Sequence, residues 1–127
     1  MIGSIIKIDN YIDSRGSLLA LNSLPFDAQR IFFISDVPQG EERGNHFSKT
    51  SCFLYLVIKG GCTVELDNGE SVERHELKCG DVLFFPRKTW MRIYDFCINT
   101  VLCVLSDNEY RPSDYISDYE EFLRIER

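Results

Sequence analysis

The stretch Phe53-Leu54-Tyr55-Leu56-Val57-Ile58, Lys59-Gly60-Gly61, Cys62-Thr63-Val64-Glu65-Leu66, Asp67-Asn68-Gly69-Glu70 reads as strand, turn, strand, turn. A short apolar run bounded by turn residues fits a strand buried on both faces. The second run alternates apolar and polar side chains, the period of a half-buried strand. Asn68-Gly69 tolerates positive φ at both positions and predicts a hairpin. Working outward, His75 alternates in step with Glu73 and Leu77 on the strand that leaves this turn. Val82-Leu83-Phe84-Phe85 follows Gly80-Asp81 and ends at Pro86, where a strand must stop or lie at an edge. Ile5-Ile6-Lys7-Ile8, Leu18-Leu19-Ala20-Leu21, Arg30-Ile31-Phe32-Phe33-Ile34 and Val101-Leu102-Cys103-Val104-Leu105 read as further strands. Only Asp118 to Arg127 has helical spacing, with Tyr119, Phe122, Leu123 and Ile125 on one side. It is too short to be stable alone and is expected to dock on the sheets. The pattern predicts an all-β chain, an antiparallel sandwich or jelly roll with a short C-terminal helix.

The 127 residues suit one domain, 1–127. Hydrophobic residues make up 44% and charged residues 27%, which is ordinary globular usage and excludes a disordered chain. Fourteen Lys+Arg against twenty Asp+Glu leave a formal charge of −6. No basic cluster offsets that charge, so nucleic acid is not an expected partner. A few local arginines still suit a small phosphorylated ligand. The longest apolar run, Cys52 to Ile58, is far short of the ~20 residues of a membrane span. Met1-Ile2-Gly3-Ser4 carries no basic and apolar leader pattern, and the expectation is a cytoplasmic protein with no membrane partner. Five cysteines form no Cys-x-x-Cys pair, and Cys52, Cys97 and Cys103 are expected as free, buried thiols.

The chemistry concentrates in Gly40-Glu41-Glu42-Arg43-Gly44-Asn45-His46-Phe47-Ser48. Glycines at 40 and 44 permit a tight backbone passage. Arg43 and His46 lie three apart at the start of the next strand. Imidazole, with an ordinary pKa of about 6.5, suits a general base. Guanidinium presents a fixed fork of donors to phosphate or an oxyanion. Continuing through Phe53 and Gly60, the spacing resembles the first motif of the cupins. Gly80, Pro86, Met91 and Asp95 resemble the frame of the second. In metal-binding cupins the places of His46, Ser48, Phe53 and Met91 hold His, His, Glu and His. One imidazole supplies too few donors for a metal, so neither metal nor cofactor is expected.

The whole chain resembles the dTDP-4-keto-6-deoxyglucose 3,4-ketoisomerases, the WxcM-like sugar cupins. The resemblance runs through Asp13-Ser14-Arg15-Gly16-Ser17-Leu18, Leu24-Pro25-Phe26, Arg30 to Ile34, Arg43-Gly44-Asn45-His46, Trp90, Tyr94-Asp95-Phe96, and Ser113-Asp114-Tyr115-Ile116. It implies an RmlC-like cupin jelly roll and a homodimer whose N-terminal strands cross to the partner. It implies too a dTDP-linked 4-keto-6-deoxyhexose in the barrel mouth, destined for a surface glycan such as O-antigen or S-layer. The implied reaction moves a ketone between C4 and C3 through an enediol. His46 is then the candidate base or proton shuttle and Arg43 its catalytic companion, holding diphosphate or enediolate charge. Arg15, Ser48, Arg92, Tyr94 and Asp95 are candidate substrate contacts, the last two also suiting a hydrogen-bonded pair that orients a catalytic group. The family's second histidine is Ser48 here, its glutamine Phe53, the histidine after Trp90 is Met91, and its paired tyrosines are Phe32-Phe33. Two other functions share the scaffold: a non-catalytic nucleotide-sugar-binding cupin and a related sugar epimerase.

Overall fold

Alternation along Cys62–Leu66 and continuous apolarity along Phe53–Ile58 both become strands, and they bury differently. The computed structural model describes residues 1–127. In chain order the elements are β1 (Ser4–Ile6), β2 (Asp9–Asp13), β3 (Gly16–Ala20), β4 (Arg30–Ser35), β5 (Arg43–Ser48) and β6 (Phe53–Lys59). Then come β7 (Gly61–Asp67), β8 (Val72–Lys78), β9 (Val82–Phe85), β10 (Trp90–Tyr94), β11 (Val101–Ser106), β12 (Tyr115–Ile116) and α1 (Tyr119–Arg124). They form two five-stranded antiparallel sheets, β1-β9-β6-β11-β4 and β12-β5-β10-β7-β8, with β2 and β3 a separate ribbon.

The sheets pack face to face as a jelly roll. Cys62, Val64 and Leu66 of β7 meet Phe53, Tyr55 and Val57 of β6 in one core between them. β6 lies between β9 and β11, and its other face buries Leu54 and Leu56 with Val82 and Cys103. The N-terminal segment covers that second face with Ile6, Ile8, Leu19, Leu21 and Phe26. Two-sided burial is the reason the run from Phe53 shows no alternation.

Several expectations change. The β7–β8 connection spans residues 68 to 71, because Asp67 pairs with Val72. Only Gly69 takes positive φ (89°) there, while the Asn68 side chain accepts the Glu70 and Ser71 amides. A side chain thus does the work expected of a second left-handed residue. The helix is six residues long, started by Asp118 accepting from the Glu120 and Glu121 amides. It docks through Phe122, whose buried ring lies 5.2 Å from Phe47 and 5.7 Å from Trp90, and through Tyr119, whose partly exposed ring lies 5.1 Å from Trp90 and whose hydroxyl donates to Asp67. Leu123 stays exposed. All five cysteines are free, but of the three expected to be buried only Cys103 is, while Cys52 is half-buried and Cys97 is exposed in the loop after β10. β2 was not among the expected strands, because Asp-Asn-Tyr-Ile-Asp offers little apolar signal and only pairing with β3 makes it one.

Two carboxylates tie distant segments together. Asp114, buried just before β12, accepts from the Ser48, Thr50 and Ser51 hydroxyls. Burial pushes its pKa up, but those donors outweigh it and hold the carboxyl below its usual range. Replacing Asp114 with alanine leaves buried hydroxyls without their acceptor and should lower stability by ~2 kcal/mol in urea titrations. Glu73 accepts from the Ile2 amide at 2.6 Å, the Gly3 amide at 3.0 Å and His75 Nε2 at 3.0 Å. Burial acts upward on it as well, yet the two amides and His75 bring it down to about 2. The folded pKa lies below the ordinary 4.5, so the stabilisation is full above 4.5 and is lost as pH falls toward about 2. Glu73→Gln should lower the urea midpoint at pH 7 and narrow the gap between the pH 7 and pH 3 midpoints.

Candidate active site

A strand turns successive side chains to opposite faces, so residues three apart, such as Arg43 and His46, ordinarily point apart. Here they face one cavity. Met91 of β10 pairs with His46, but Arg92 pairs with Gly44, leaving Asn45 as an extra residue in β5. This β-bulge uses positive φ at Gly44 (88°) and Asn45 (60°) and resets the phase of the strand. Gly44 also passes so close to β10 that a Cβ there would sit 2.4 Å from Met91 Sδ.

The cavity, about 350 Å³, lies between the two sheets. Arg30, Phe32 and Ile34 of β4 and Phe53 and Tyr55 of β6 form one wall. Arg43, His46, Met91 and Ile93 form the other, and Tyr110, Tyr115 and Ser117 complete it. His46 is half-buried, its ring centroid 5.1 Å from that of Tyr115. Burial, and then the nearby Arg43 cation, hold its pKa below 6.5, keeping the imidazole neutral and able to accept a proton near pH 7. Arg30 Nη1 donates to Tyr115 Oη at 2.9 Å, and its guanidinium lies over the rings of Phe32 (4.1 Å) and Tyr110 (4.8 Å). Neither Arg30 nor Arg43 is in a salt bridge. No Asp or Glu lines the cavity. In a chain of charge −6, this mouth is suited to an anion.

Of the expected site residues, the structure brings only Arg43 and His46 together in this cavity. Arg92 and Tyr94 alternate with the inward Met91 and Ile93, and so face outward. Arg92 bonds Glu42 at 2.9 Å and Glu65 at 3.2 Å, with its guanidinium 4.1 Å from the Tyr94 ring centroid. Asp95 is exposed after β10 and makes no hydrogen bond with Tyr94. Ser48 shares the inward phase of His46, but Asp114 takes its hydroxyl. Arg15 sits at the tip of the β2–β3 ribbon, its side chain 88% exposed and bound to Asp13, outside this cavity. Arg30 and Tyr115 line the cavity at positions the motif spacing missed. The alternation Arg30-Phe32-Ile34 carries the signal for the first. Phe53 and Met91 do line the cavity, without closing it. No group of three or more His, Cys, Asp or Glu is placed to hold a metal ion.

The family model FdtA, described as WxcM-like, C-terminal, matches residues 2–127. The chain belongs to this family. Among its relatives is a TDP-4-oxo-6-deoxy-alpha-D-glucose-3,4-oxoisomerase of Aneurinibacillus thermoaerophilus. That protein is 32% identical over 128 residues, covering 98% of this chain and 92% of the relative. A 3,4-ketoisomerase from Helicobacter canadensis superposes with a TM-score of 0.89 at 32% identity, over 96% of this chain and 95% of that one. The 3,4-ketoisomerase QdtA from Thermoanaerobacterium thermosaccharolyticum, as a mutant complexed with TDP-4-keto-6-deoxyglucose, superposes with a TM-score of 0.89 at 25% identity. It covers 95% of this chain and 91% of that one.

The bulge is the feature of this site most open to direct test. Gly44→Ala forces an L side chain into left-handed backbone, costing ~1–2 kcal/mol, and pushes Met91 toward the cavity. A lower melting temperature together with weaker ligand binding in calorimetry is the expected result.

Proposed function

We propose that this chain is a TDP-sugar 3,4-ketoisomerase, shifting the keto group between C4 and C3 of a TDP-linked 4-keto-6-deoxyhexose. The observation that carries the reading is the cavity that joins one neutral imidazole to two unpaired guanidiniums and excludes carboxylates. His46 removes the C3 hydrogen, which the adjacent C4 ketone acidifies, and returns it to C4. Because the two carbons are neighbours, one imidazole reaches both. Arg43 and Arg30 hold the diphosphate and the negative charge that develops as the C3 hydrogen leaves. No step needs a metal or a cofactor, since the charge on oxygen is met by guanidinium. Family membership, and the substrate named for the relatives, support the choice of a TDP-sugar over other anions. The cytoplasm is the location this reading expects, because it acts on a nucleotide-activated sugar.

The active form in this reading is a homodimer. A two-stranded ribbon alone is marginal in water, yet β2 and β3 stand apart with Tyr11, Ile12 and Leu18 exposed. Ile31 and Phe33 add an apolar outer face on the edge strand β4. A second copy is the occupant that buries both. Light scattering should give twice 14.7 kDa, and Ile12→Asp with Phe33→Asp should give the monomer. A monomeric wild type would remove the dimer from the proposal.

Proton NMR with TDP-4-keto-6-deoxyglucose in D2O tests the activity. A new 3-keto product, with C4 carrying the transferred C3 hydrogen or, where the imidazolium exchanges with solvent first, deuterium, and turnover reduced at least ~100-fold in His46→Asn, is the expected result. Ligand broadening without exchange would make the chain a binding protein, and exchange without a new ketone would point to epimerisation. The rate should fall on acidification with a midpoint below 6.5, because the base must be neutral. In Arg43→Met the same midpoint should rise, since the neighbouring cation is gone.

A further inference from the structure

A keto shift between neighbouring carbons moves two protons: one from C3 to C4, the other from the C3 hydroxyl to the C4 oxygen. The reading above, on which this inference rests, accounts for the carbon proton alone. The cavity offers few groups for the other. Arginines stay protonated at any working pH, and Met91 and Phe53 carry no exchangeable proton. Four hydroxyls remain, on Tyr55, Tyr110, Tyr115 and Ser117.

Geometry separates them. Tyr115 is the phenol whose oxygen accepts from a guanidinium, Arg30 Nη1 at 2.9 Å. Its ring lies beside that of the base, 5.1 Å between centroids. No protein group accepts its hydroxyl proton: the Arg30 bond is the one hydrogen bond the phenol makes. That proton is left for a ligand. Tyr55 has no such cation, and burial pushes its pKa far above the phenol range; burial raises the Tyr115 pKa too, but there the Arg30 cation opposes the rise. Tyr110 is exposed and meets Arg30 through its ring face. Ser117 is an exposed alcohol with no cation to stabilise its anion. Tyr115 is also firmly seated. The residue before it, Asp114, is anchored by Ser48, Thr50 and Ser51, and β12 pairs Tyr115 with Ser48 and Ile116 with Phe47. The hydroxyl standing where the resemblance leads one to expect a second imidazole therefore helps to place a phenol.

We propose that Tyr115, polarised by Arg30, is the oxygen-side proton carrier of the reaction. As His46 takes the C3 hydrogen, the C3–H electron pair becomes the C3=C4 bond. The carbonyl pair moves onto the C4 oxygen, which takes the Tyr115 proton. The result is a neutral enediol beside a phenolate held by the Arg30 cation. In the second half the C3 hydroxyl returns a proton to the phenolate and becomes the ketone. The C3=C4 pair takes the proton back from His46 at C4. Both protein groups end as they began, and no oxidant or reductant is consumed.

Tyr115→Phe keeps the ring and removes the proton, so the fold should survive, as a melting curve checks. With TDP-4-keto-6-deoxyglucose, kcat should fall ~100-fold while KM changes little. The alkaline limb of the wild-type kcat–pH profile, which lies above the ordinary phenol value of 10.0 because burial raises the Tyr115 pKa, should vanish in this variant. Arg30→Met should move that limb to higher pH, because the cation that favours the phenolate is gone. A positional role for Arg30 would not shift it. A Tyr115→Phe enzyme with wild-type kcat and an unchanged alkaline limb overturns the inference and leaves the ketoisomerase reading intact, provided His46→Asn is inactive. A wild-type chain that does not turn the substrate over sinks both.

Discussion

One unpaired residue between β5 and β10 governs the interior. Strand alternation is rigid, and a single insertion changes which side chains face inward from that point on. Asn45 makes the insertion, and asparagine is among the few non-glycine residues that tolerate its φ of 60°. Gly44 lets the strand approach Met91 within a distance no side chain permits. Met91 occupies the place of a metal-binding cupin's histidine, so thioether, glycine and bulge form one fitted unit. The cost of the irregular backbone is repaid by Phe47, fully buried two residues after Asn45 against Phe122.

Charge is sorted as strictly as shape. On the outer face of the second sheet, Arg92 and Arg74 share Glu65, and Arg92 also holds Glu42. Glu73 takes the amides of Ile2 and Gly3, and Asp114 takes hydroxyls. Carboxylates with structural work to do therefore lie away from the cavity. Arg30 and Arg43 keep their charge at its mouth, flanked by aromatic rings in the case of Arg30. A low-polarity wall behind an unpaired cation strengthens its hold on an anion.

Much of this was legible in the sequence, and the failures have definite causes. Alternation exposed β7 and continuous apolarity exposed β6, since both reflect burial of whole strand faces. The pairing of His46 with Arg43 was visible as a short motif, but the bulge that makes it work depends on backbone angles that no spacing records. Arg92, a charge between apolar neighbours near the second cupin-like motif, and Tyr94, from the Tyr94-Asp95-Phe96 block, read as substrate contacts. The alternation of Met91 and Ile93 already assigned them to the outer face. Ser48 had the right phase and the wrong neighbour: Asp114, 66 residues along the chain, claims its hydroxyl. Tyr115 sits on a two-residue strand, too short for any period to show. Arg15 is bound to Asp13 at the tip of a ribbon, a local contact that a family resemblance does not encode.

The first twenty-six residues do more than extend the chain. Ile6, Ile8, Leu19, Leu21 and Phe26 lie over Leu54, Leu56, Val82 and Cys103. They roof a sheet whose other side lines the cavity, and β1 is itself an edge strand of that sheet, paired with β9. Stripped by a protease, the sheet would offer a wet apolar patch beside the free edge of β4, the geometry that seeds aggregation. Solubility and chemistry thus reside on opposite faces of β6, and a change that damages one need not touch the other.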